Sequence, residues 1–517
     1  MTDVVPSGAL EPFDEHNRAL LENVRPPNWV NPKPADRYHL VVLGAGTAGL
    51  VTAAVAAGLG ARVALVERSL MGGDCLNVGC VPSKAVIRAA RAWHGTQSGE
   101  ELGAPLAGGP GDFAKVMERM RRLRAELSRV DGAARFRDLG VDVFIGHGRF
   151  LAPDVVEVGS ARLRFRKAVI ATGARAAAPP IAGLEQVPYL TNESVFSLTE
   201  LPRRFAVLGA GPIGCEMAQA FARFGSEVTL LDIAPQILTR EDRDAADAVE
   251  QSMVADGVKL KLGIEIEELR RVSTATSDEN RPREEILAVV RQEGERREIR
   301  TDALLVAVGR APNVEGLGLE AAGVAYDRTG VAVNDRLQTT NRRIFAAGDI
   351  APLLKFTHLA DAHAGIVIQN ALFFGRRRHT RLVVPWCTYT SPEIAHVGLY
   401  EKDAEALGHK TQTITVPLSD VDRAVLDGQD RGFLRVLLKA PGDRILGATL
   451  VAEHAGEMIT EITLAISQGI GLGKIATTIH PYPTQSEIFR KAANQWRKQR
   501  LSPTVKRVFD LWFRFLR

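Results

Sequence analysis

Cys75 and Cys80 stand in MGGDCLNVGCVPSK with four residues between them, and Lys84 follows four positions later. At that separation, on the first turn of a helix, two sulfurs can close a small disulfide ring. The helix N-terminus then favours a thiolate when the ring opens. Zinc is the competing use of paired cysteines, but no second Cys or His pair at ligand spacing lies nearby, so no metal site is expected. Of the other two cysteines, Cys215 is expected to pack on the strand beneath its helix and Cys387 in a core or a dimer contact. Four cysteines in 517 residues do not make a secreted disulfide framework, and a reducing, cytoplasmic setting is the expectation.

Two strand–turn–helix units must position this chemistry. HLVVLGAGTAG carries Gly44, Gly46 and Gly49 in G-x-G-x-x-G spacing after a β-rich run, opens an Ala-rich helix, and is followed by ARVALVE ending in Glu67. The pattern returns as RFAVLGAGPIG, with Gly209, Gly211 and Gly214, followed by SEVTLLD ending in Asp232. In such a loop the first glycine makes the tight turn, the second admits a pyrophosphate, the third lets helix pack on strand, and the acid takes ribose hydroxyls. Each acid stands 23 residues beyond the first glycine. Two copies with matching distances point to two dinucleotides, one flavin and one nicotinamide. Asp232 favours NAD(H) over NADP(H), whose 2′-phosphate would meet like charge, although Arg240 and Arg243 lie close downstream. The uncharged run Leu40–Ala61 is long enough for a membrane span, but its glycines assign it to the first of these units.

With these motifs in place, GGDCLNVGCVPSK between GAGTAG and GAGPIGCE resembles the class I pyridine-nucleotide disulfide oxidoreductases, which include mercuric reductase and dihydrolipoamide dehydrogenase. The resemblance runs from about Tyr38 to about Asn494. It implies an α/β fold with two Rossmann-like domains, for FAD and NAD(P), and a C-terminal α+β domain that makes a homodimer. The expected segments are a polar N-terminal extension (1–36), the FAD domain (37–190), the NAD(P) domain (191–315), a return to the FAD or central domain (316–383), the dimerisation domain (384–500) and a basic tail (501–517). KAVIATGAR (Thr172, Gly173), IFAAGD (Gly348, Asp349) and Gly73 would contact the flavin, and Gly309 in LLVAVGRAPN would close the nicotinamide domain. Cys80 would be the thiolate next to the flavin, Cys75 the thiol that attacks substrate, and Lys84 a cation at the flavin edge paired with Glu216. His358 and His363 are expected to pack near the flavin, and Ser273–Arg300 to form a surface hairpin.

HPYPTQSE departs from the disulfide-reducing pattern. Where those members place an acid/base His before Pro-Thr, with a Glu five residues on, this chain has Tyr482 and Glu487, and His480 comes two residues early. Tyrosine at this position is similar to mercuric reductases, yet no cysteine follows Cys387, so the C-terminal thiol pair of true mercuric reductases is missing. The reading is an FAD-dependent NAD(P)H oxidoreductase acting through Cys75 and Cys80 on a disulfide, a thiol-bound metal ion or another small electrophile. A dihydrolipoamide dehydrogenase is the alternative, and a membrane-associated electron-transfer partner or redox sensor the alternative of another class. The formal charge of +4 is local: residues 490–517 hold nine Lys and Arg against Asp510 alone, leaving a mildly acidic body with no nucleic-acid signature. From Val505 the apolar residues recur at helical spacing, which fits a helix docked on the dimer or one lying on an anionic membrane.

Overall fold

Residues 10–97, 111–274 and 283–517 are described in a computed structural model. The contacts divide the chain into two units, Met1–Ile237 with Asp256–Arg381 and Leu238–Ala255 with Leu382–Arg517.

In the first unit the run YHLVVL becomes the central strand Tyr38–Leu43 of a sheet buried on both faces, as near-continuous β-branched and leucine runs require. Val63–Glu67 and Ala161–Ile170 flank it in parallel, Val141–Ile145 extends the sheet beyond Val63–Glu67, and Ile344–Ala346 pairs with the end of Ala161–Ile170. That last pairing returns the chain to the first sheet after the second domain. The second domain repeats the plan: Lys259–Lys261, Glu227–Leu231, Arg204–Leu208, Ala303–Val306 and Tyr189–Leu190 lie side by side, all parallel. Between the domains Ala174–Ala176 and Arg310–Pro312 pair antiparallel, so the outgoing and returning strands brace each other. The segment expected as a surface hairpin belongs to a three-stranded antiparallel sheet, Glu265–Thr274, Arg283–Gln292 and Glu295–Thr301, which packs Ile286, Ala288 and Val290 into the core. Residues 275–282 of that segment lie outside the described residues.

The second unit is built on a five-stranded antiparallel sheet in the order Pro385–Thr388, Glu393–Gly398, Ile445–Ala452, Phe433–Lys439, Thr411–Pro417, covered by helices that include Glu487–Gln499.

Residues 1–36 are more than a polar extension, because Glu15–Val24 forms a helix capped by the Asp14 carboxylate, and Asn17, Leu20 and Val24 are fully buried. Residues 1–9 of that segment lie outside the described residues. Residues 238–255, expected within 191–315, group with the second unit. The buried Glu241 carboxylate finds its donors there, from Trp386 Nε1 at 2.9 Å and the Tyr400 hydroxyl at 2.6 Å. A buried carboxylate without such donors would be costly, which explains why this segment follows its partners.

Candidate active site

The glycine loops behave as their spacing requires, twice over. Gly44 and Gly209 have φ of +100° and +105°, the left-handed region, and a Cβ there would stand 2.3 Å from the Ala171 carbonyl oxygen or 2.6 Å from that of Ala307. A Cβ on Gly49 or Gly214 would stand 1.8 Å from the Gly44 or Gly209 carbonyl oxygen, so helix and strand touch backbone to backbone. Helices Thr47–Gly58 and Pro212–Arg223 start from Gly46 and Gly211, which supply no side-chain cap, and their first amides are left for an anion. Both acids grip these loops: Glu67 accepts from Ala45 N and Ser69 N, each at 2.7 Å, and Asp232 accepts from Ala210 N at 2.5 Å and Ala234 N at 2.8 Å. Burial pushes the Glu67 carboxyl up, against the pull of those two amides. These uncapped, glycine-walled cradles fit the pyrophosphates of two dinucleotides.

The redox motif sits against the first cradle. Gly73, at φ +58°, approaches so closely that a Cβ on it would be 2.7 Å from the Gly46 Cα. Cys75 lies in the short helix Gly73–Asn77, and Cys80 opens a second helix, Cys80–Gln97. The two cysteines therefore occupy the first turns of successive helices rather than one shared turn. Both are free thiols, Cys75 half-buried and Cys80 exposed. The neighbouring Cys75 thiol is the main influence lowering Cys80 to about 6, with help from the Thr357 hydroxyl at 3.4 Å and the Lys84 charge. The same contact pushes Cys75 up. The pair is polarised: the thiolate belongs on Cys80.

Lys84 donates through Nζ to Glu216 Oε2 at 2.8 Å, linking the redox helix to the helix after the second glycine loop. Glu216 is buried and Lys84 partly open. Gly348 N donates to Nδ1 of the fully buried His363 at 3.3 Å, and burial lowers that ring to about 4, keeping it neutral as an acceptor. Beside Gly348, the Asp349 carboxyl is pushed up by burial, while Arg310 Nε, 3.5 Å away, pulls it down. Arg310 also binds Asp74 and the Ala174 carbonyl. Thr172 Oγ1 donates to the Asn313 carbonyl at 3.0 Å, Asn313 N donates to the carbonyl of Gly173 at φ +67°, and Gly309 leads into the same brace at φ +144°. Cys215 is buried beneath the second loop, donating to the Ala210 carbonyl, and Cys387 is half-buried beside Glu393.

His480, Tyr482 and Glu487 lie in the second unit. His480 does not offer a free ring: Nε2 faces Glu461 Oε1 at 3.1 Å, Nδ1 faces the Thr478 carbonyl at 3.1 Å, and the side chain is 6% exposed. Tyr482 is 68% exposed and donates to Asp422 Oδ2 at 2.9 Å. Glu487 is buried and paired with Arg490 on its own helix.

Sequence reasoning missed Asp74, Thr357 and the Asn17–Arg124–Asn77 chain. Arg124, 1% exposed, donates to the Asn77 carbonyl at 2.6 Å, inside the Cys75–Cys80 segment, and to Asn17 Oδ1 at 2.5 Å. Asp74 adjoins Cys75 and could have been singled out; nothing local signals the others.

Residues 38–364 match the family model of the pyridine nucleotide-disulphide oxidoreductases, and residues 384–493 match that family's dimerisation domain. The chain belongs to this family. It is thus an FAD-dependent pyridine nucleotide-disulfide oxidoreductase, with a flavin domain, a nicotinamide domain and a C-terminal dimerisation domain. The mercuric reductase of Lysinibacillus sphaericus is 33% identical over 501 residues, covering 95% of this chain and 89% of that protein. The dihydrolipoyl dehydrogenase of Bacillus subtilis is 33% identical over 475 residues, covering 89% and 98%. Among solved structures, the Cu(II) complex of the HOCl-induced flavoprotein disulfide reductase RclA from Escherichia coli superposes with a TM-score of 0.77 at 29% identity, covering 89% of this oxidoreductase and all of that chain. No helix among the described residues is long and apolar enough to cross a membrane.

Proposed function

We propose that this oxidoreductase is a cytoplasmic homodimer that takes electrons from NADH and delivers them through Cys75 and Cys80 to a thiophilic electrophile, a thiol-bound metal ion or a small disulfide. The observation that carries the reading is the placement of Cys75 and Cys80 at the starts of successive helices against the first glycine loop, with Thr357 beside Cys80 and the Lys84–Glu216 pair on the Cys80 helix. FAD and NADH, when bound, supply two electrons as a hydride, which opens the Cys75–Cys80 disulfide to two thiols.

The chain's own residues do the rest. Gly44, Gly46, Gly49, Gly73, Glu67, Thr172, Gly173, Gly348 and Asp349 would hold FAD. Gly209, Gly211, Gly214 and Gly309 would hold the nicotinamide nucleotide, with Asp232 favouring the free 2′-hydroxyl of NADH. Cys80 keeps its negative charge because Thr357 and Lys84 favour the thiolate. Cys75 attacks: its sulfur bonds to one sulfur of a substrate disulfide, expelling the other as thiolate. Cys80 then bonds to Cys75, releases the second substrate thiol and restores the internal disulfide. With a metal ion the two sulfurs would serve as soft ligands, and closing again as the Cys75–Cys80 disulfide they would give up two electrons, enough for one Hg(II) to Hg(0) or two Cu(II) to Cu(I). Tyr482 would serve the other subunit's cysteine pair, as its position in the resemblance implies, with Asp422 fixing its hydroxyl.

Anaerobic titration of the purified flavoprotein with NADH and with NADPH, followed by reoxidation with Hg(II), Cu(II), lipoamide or glutathione disulfide, tests this reading. The expected result is a long-wavelength thiolate-to-flavin absorption band at two electrons, lost in Cys80→Ser, preferential use of NADH, and fastest reoxidation by a thiophilic metal ion. Absence of the band sinks the two-cysteine route, and rapid lipoamide turnover overturns the substrate assignment.

A further inference from the structure

Residues 501–517 lie beyond the matched dimerisation domain, which ends at residue 493, and form a helix of their own, Pro503–Phe515. Ser502 caps it, its side chain accepting from Val505 N, and Pro503 occupies its first turn. None of its residues is buried; Trp512 is 55% and Phe515 81% exposed. At about 100° per residue, every apolar side chain from Val505 to Leu516 falls within an arc of about 200° centred on Trp512. Lys506, Arg507, Asp510, Arg514 and Arg517 occupy the opposite arc, about 100° wide. Arg490, Lys491, Arg497, Lys498 and Arg500 add positive charge just upstream.

Two features choose the occupant of the apolar face. A helix docked on a protein core needs a stripe at least about 100° wide; this arc is about twice that, aromatic-rich and bordered by bases, the composition of a helix lying at a membrane interface. Among the described residues Lys506, Arg507, Arg514 and Arg517 have no ion-pair partner, so no described carboxylate answers these four charges. A tail-to-tail contact with a second copy would set two 501–517 segments, each with an excess of three positive charges, against one another, whereas an anionic bilayer matches that charge and accepts a wide apolar arc at the headgroup boundary. We propose that helix Pro503–Phe515 lies in the plane of an anionic membrane surface, with Trp512 at the centre of the immersed face and the basic arc against lipid headgroups, which would hold the reductase at the bilayer without crossing it.

The test is co-sedimentation of the full-length flavoprotein with vesicles of phosphatidylglycerol and phosphatidylcholine, against vesicles of phosphatidylcholine alone. Binding to the anionic vesicles is expected to exceed binding to the neutral ones at least about tenfold, and to fall in about 0.5 M salt. Trp512→Glu should abolish it, and the double variant Lys506→Glu, Arg507→Glu should weaken it on anionic vesicles, while NADH oxidation and dimer size stay unchanged in both. Equal pelleting of the full chain and a chain ending at residue 500 overturns the proposal, as does equal binding to both kinds of vesicle. If Trp512→Glu instead breaks the dimer and no variant alters pelleting, the face belongs to a second copy and the membrane assignment is wrong.

Discussion

Arg124 is the residue through which the N-terminal helix reaches the redox loop. Its guanidinium is almost completely buried, and burial lowers its pKa from the usual arginine range to about 10, so it stays charged at neutral pH. One nitrogen donates to the Asn77 carbonyl, between the two cysteines, and another to Asn17 Oδ1. Asn17→Ala removes a hydrogen bond to a buried charge, which costs about 1.5–3 kcal/mol. Arg124→Met removes the charge itself, and in that background Asn17→Ala should cost only about 1 kcal/mol, a coupling of about 0.5–2 kcal/mol between directly bonded groups. Asn17→Asp, which keeps an acceptor at the same place and adds opposite charge, should recover most of the loss. Guanidinium unfolding of the FAD-loaded protein gives the stabilities. Amide hydrogen exchange over residues 73–80 gives the local effect, expected to speed up in Asn17→Ala and recover in Asn17→Asp. Equal costs of Asn17→Ala in both backgrounds, or unchanged exchange in the redox loop, would refute the chain of support from Asn17 to Asn77.

Two further predictions concern the reacting groups. Because Cys80 is lowered to about 6, its alkylation by iodoacetamide in the reduced protein should rise through pH 6 and level off above it, since the reactive thiolate is present above the folded pKa and lost below it. In Cys75→Ala, which removes the main influence lowering that thiol, the midpoint of the rate-against-pH curve should move upward; an unmoved midpoint would show that Cys75 does not stabilise the thiolate. His480→Asn should lower the unfolding midpoint while leaving turnover within about twofold, because that ring is committed to Glu461 and Thr478, whereas Tyr482→Phe should lower turnover without affecting stability. Steady-state rates with NADH and the preferred oxidant separate the two; the reverse pattern would return the acid/base role to His480.

What could be read from the sequence was whatever short-range backbone geometry dictates. Gly44 and Gly209 announce themselves because only glycine fits a left-handed turn pressed against a neighbouring strand, and Glu67 and Asp232 follow at the fixed distance that one strand–helix–strand circuit sets. Lys84 and Glu216, 132 residues apart, were found only because each sits at a recognisable place in a family motif. Thr357 reaches Cys80 across 277 residues with no motif to mark it. The helix Glu15–Val24 escaped notice because its few apolar residues read as a polar lead-in; what holds it is a buried Asn–Arg contact spanning 107 residues, and tertiary partners leave no local periodicity. The grouping of 238–255 with the second unit is hidden for a related reason, since Glu241 looks like an ordinary surface acid until Trp386 and Tyr400 close over it.

The second unit constrains the proposed chemistry most tightly. A disulfide reductase of the usual pattern needs a histidine base, oriented by a glutamate, to deprotonate the attacking thiol. Here Glu487 is occupied by Arg490 on its own helix, His480 is tied to Glu461, and the residue in the base's position is a phenol donating to Asp422. That hydrogen bond pushes the Tyr482 hydroxyl above its ordinary pKa, so near neutrality it can donate a proton or present an oxygen but does not remove a proton. With Cys75 also pushed up, a route that depends on base-assisted attack by Cys75 is slow, while a route that begins from the Cys80 thiolate needs no base. A soft metal ion supplies what the missing base does not, because binding to sulfur displaces the thiol proton directly. On this reading the exchange of His for Tyr does not disable the enzyme; it moves the favoured substrate from disulfides, which need an activated thiol, towards electrophiles that make their own thiolate.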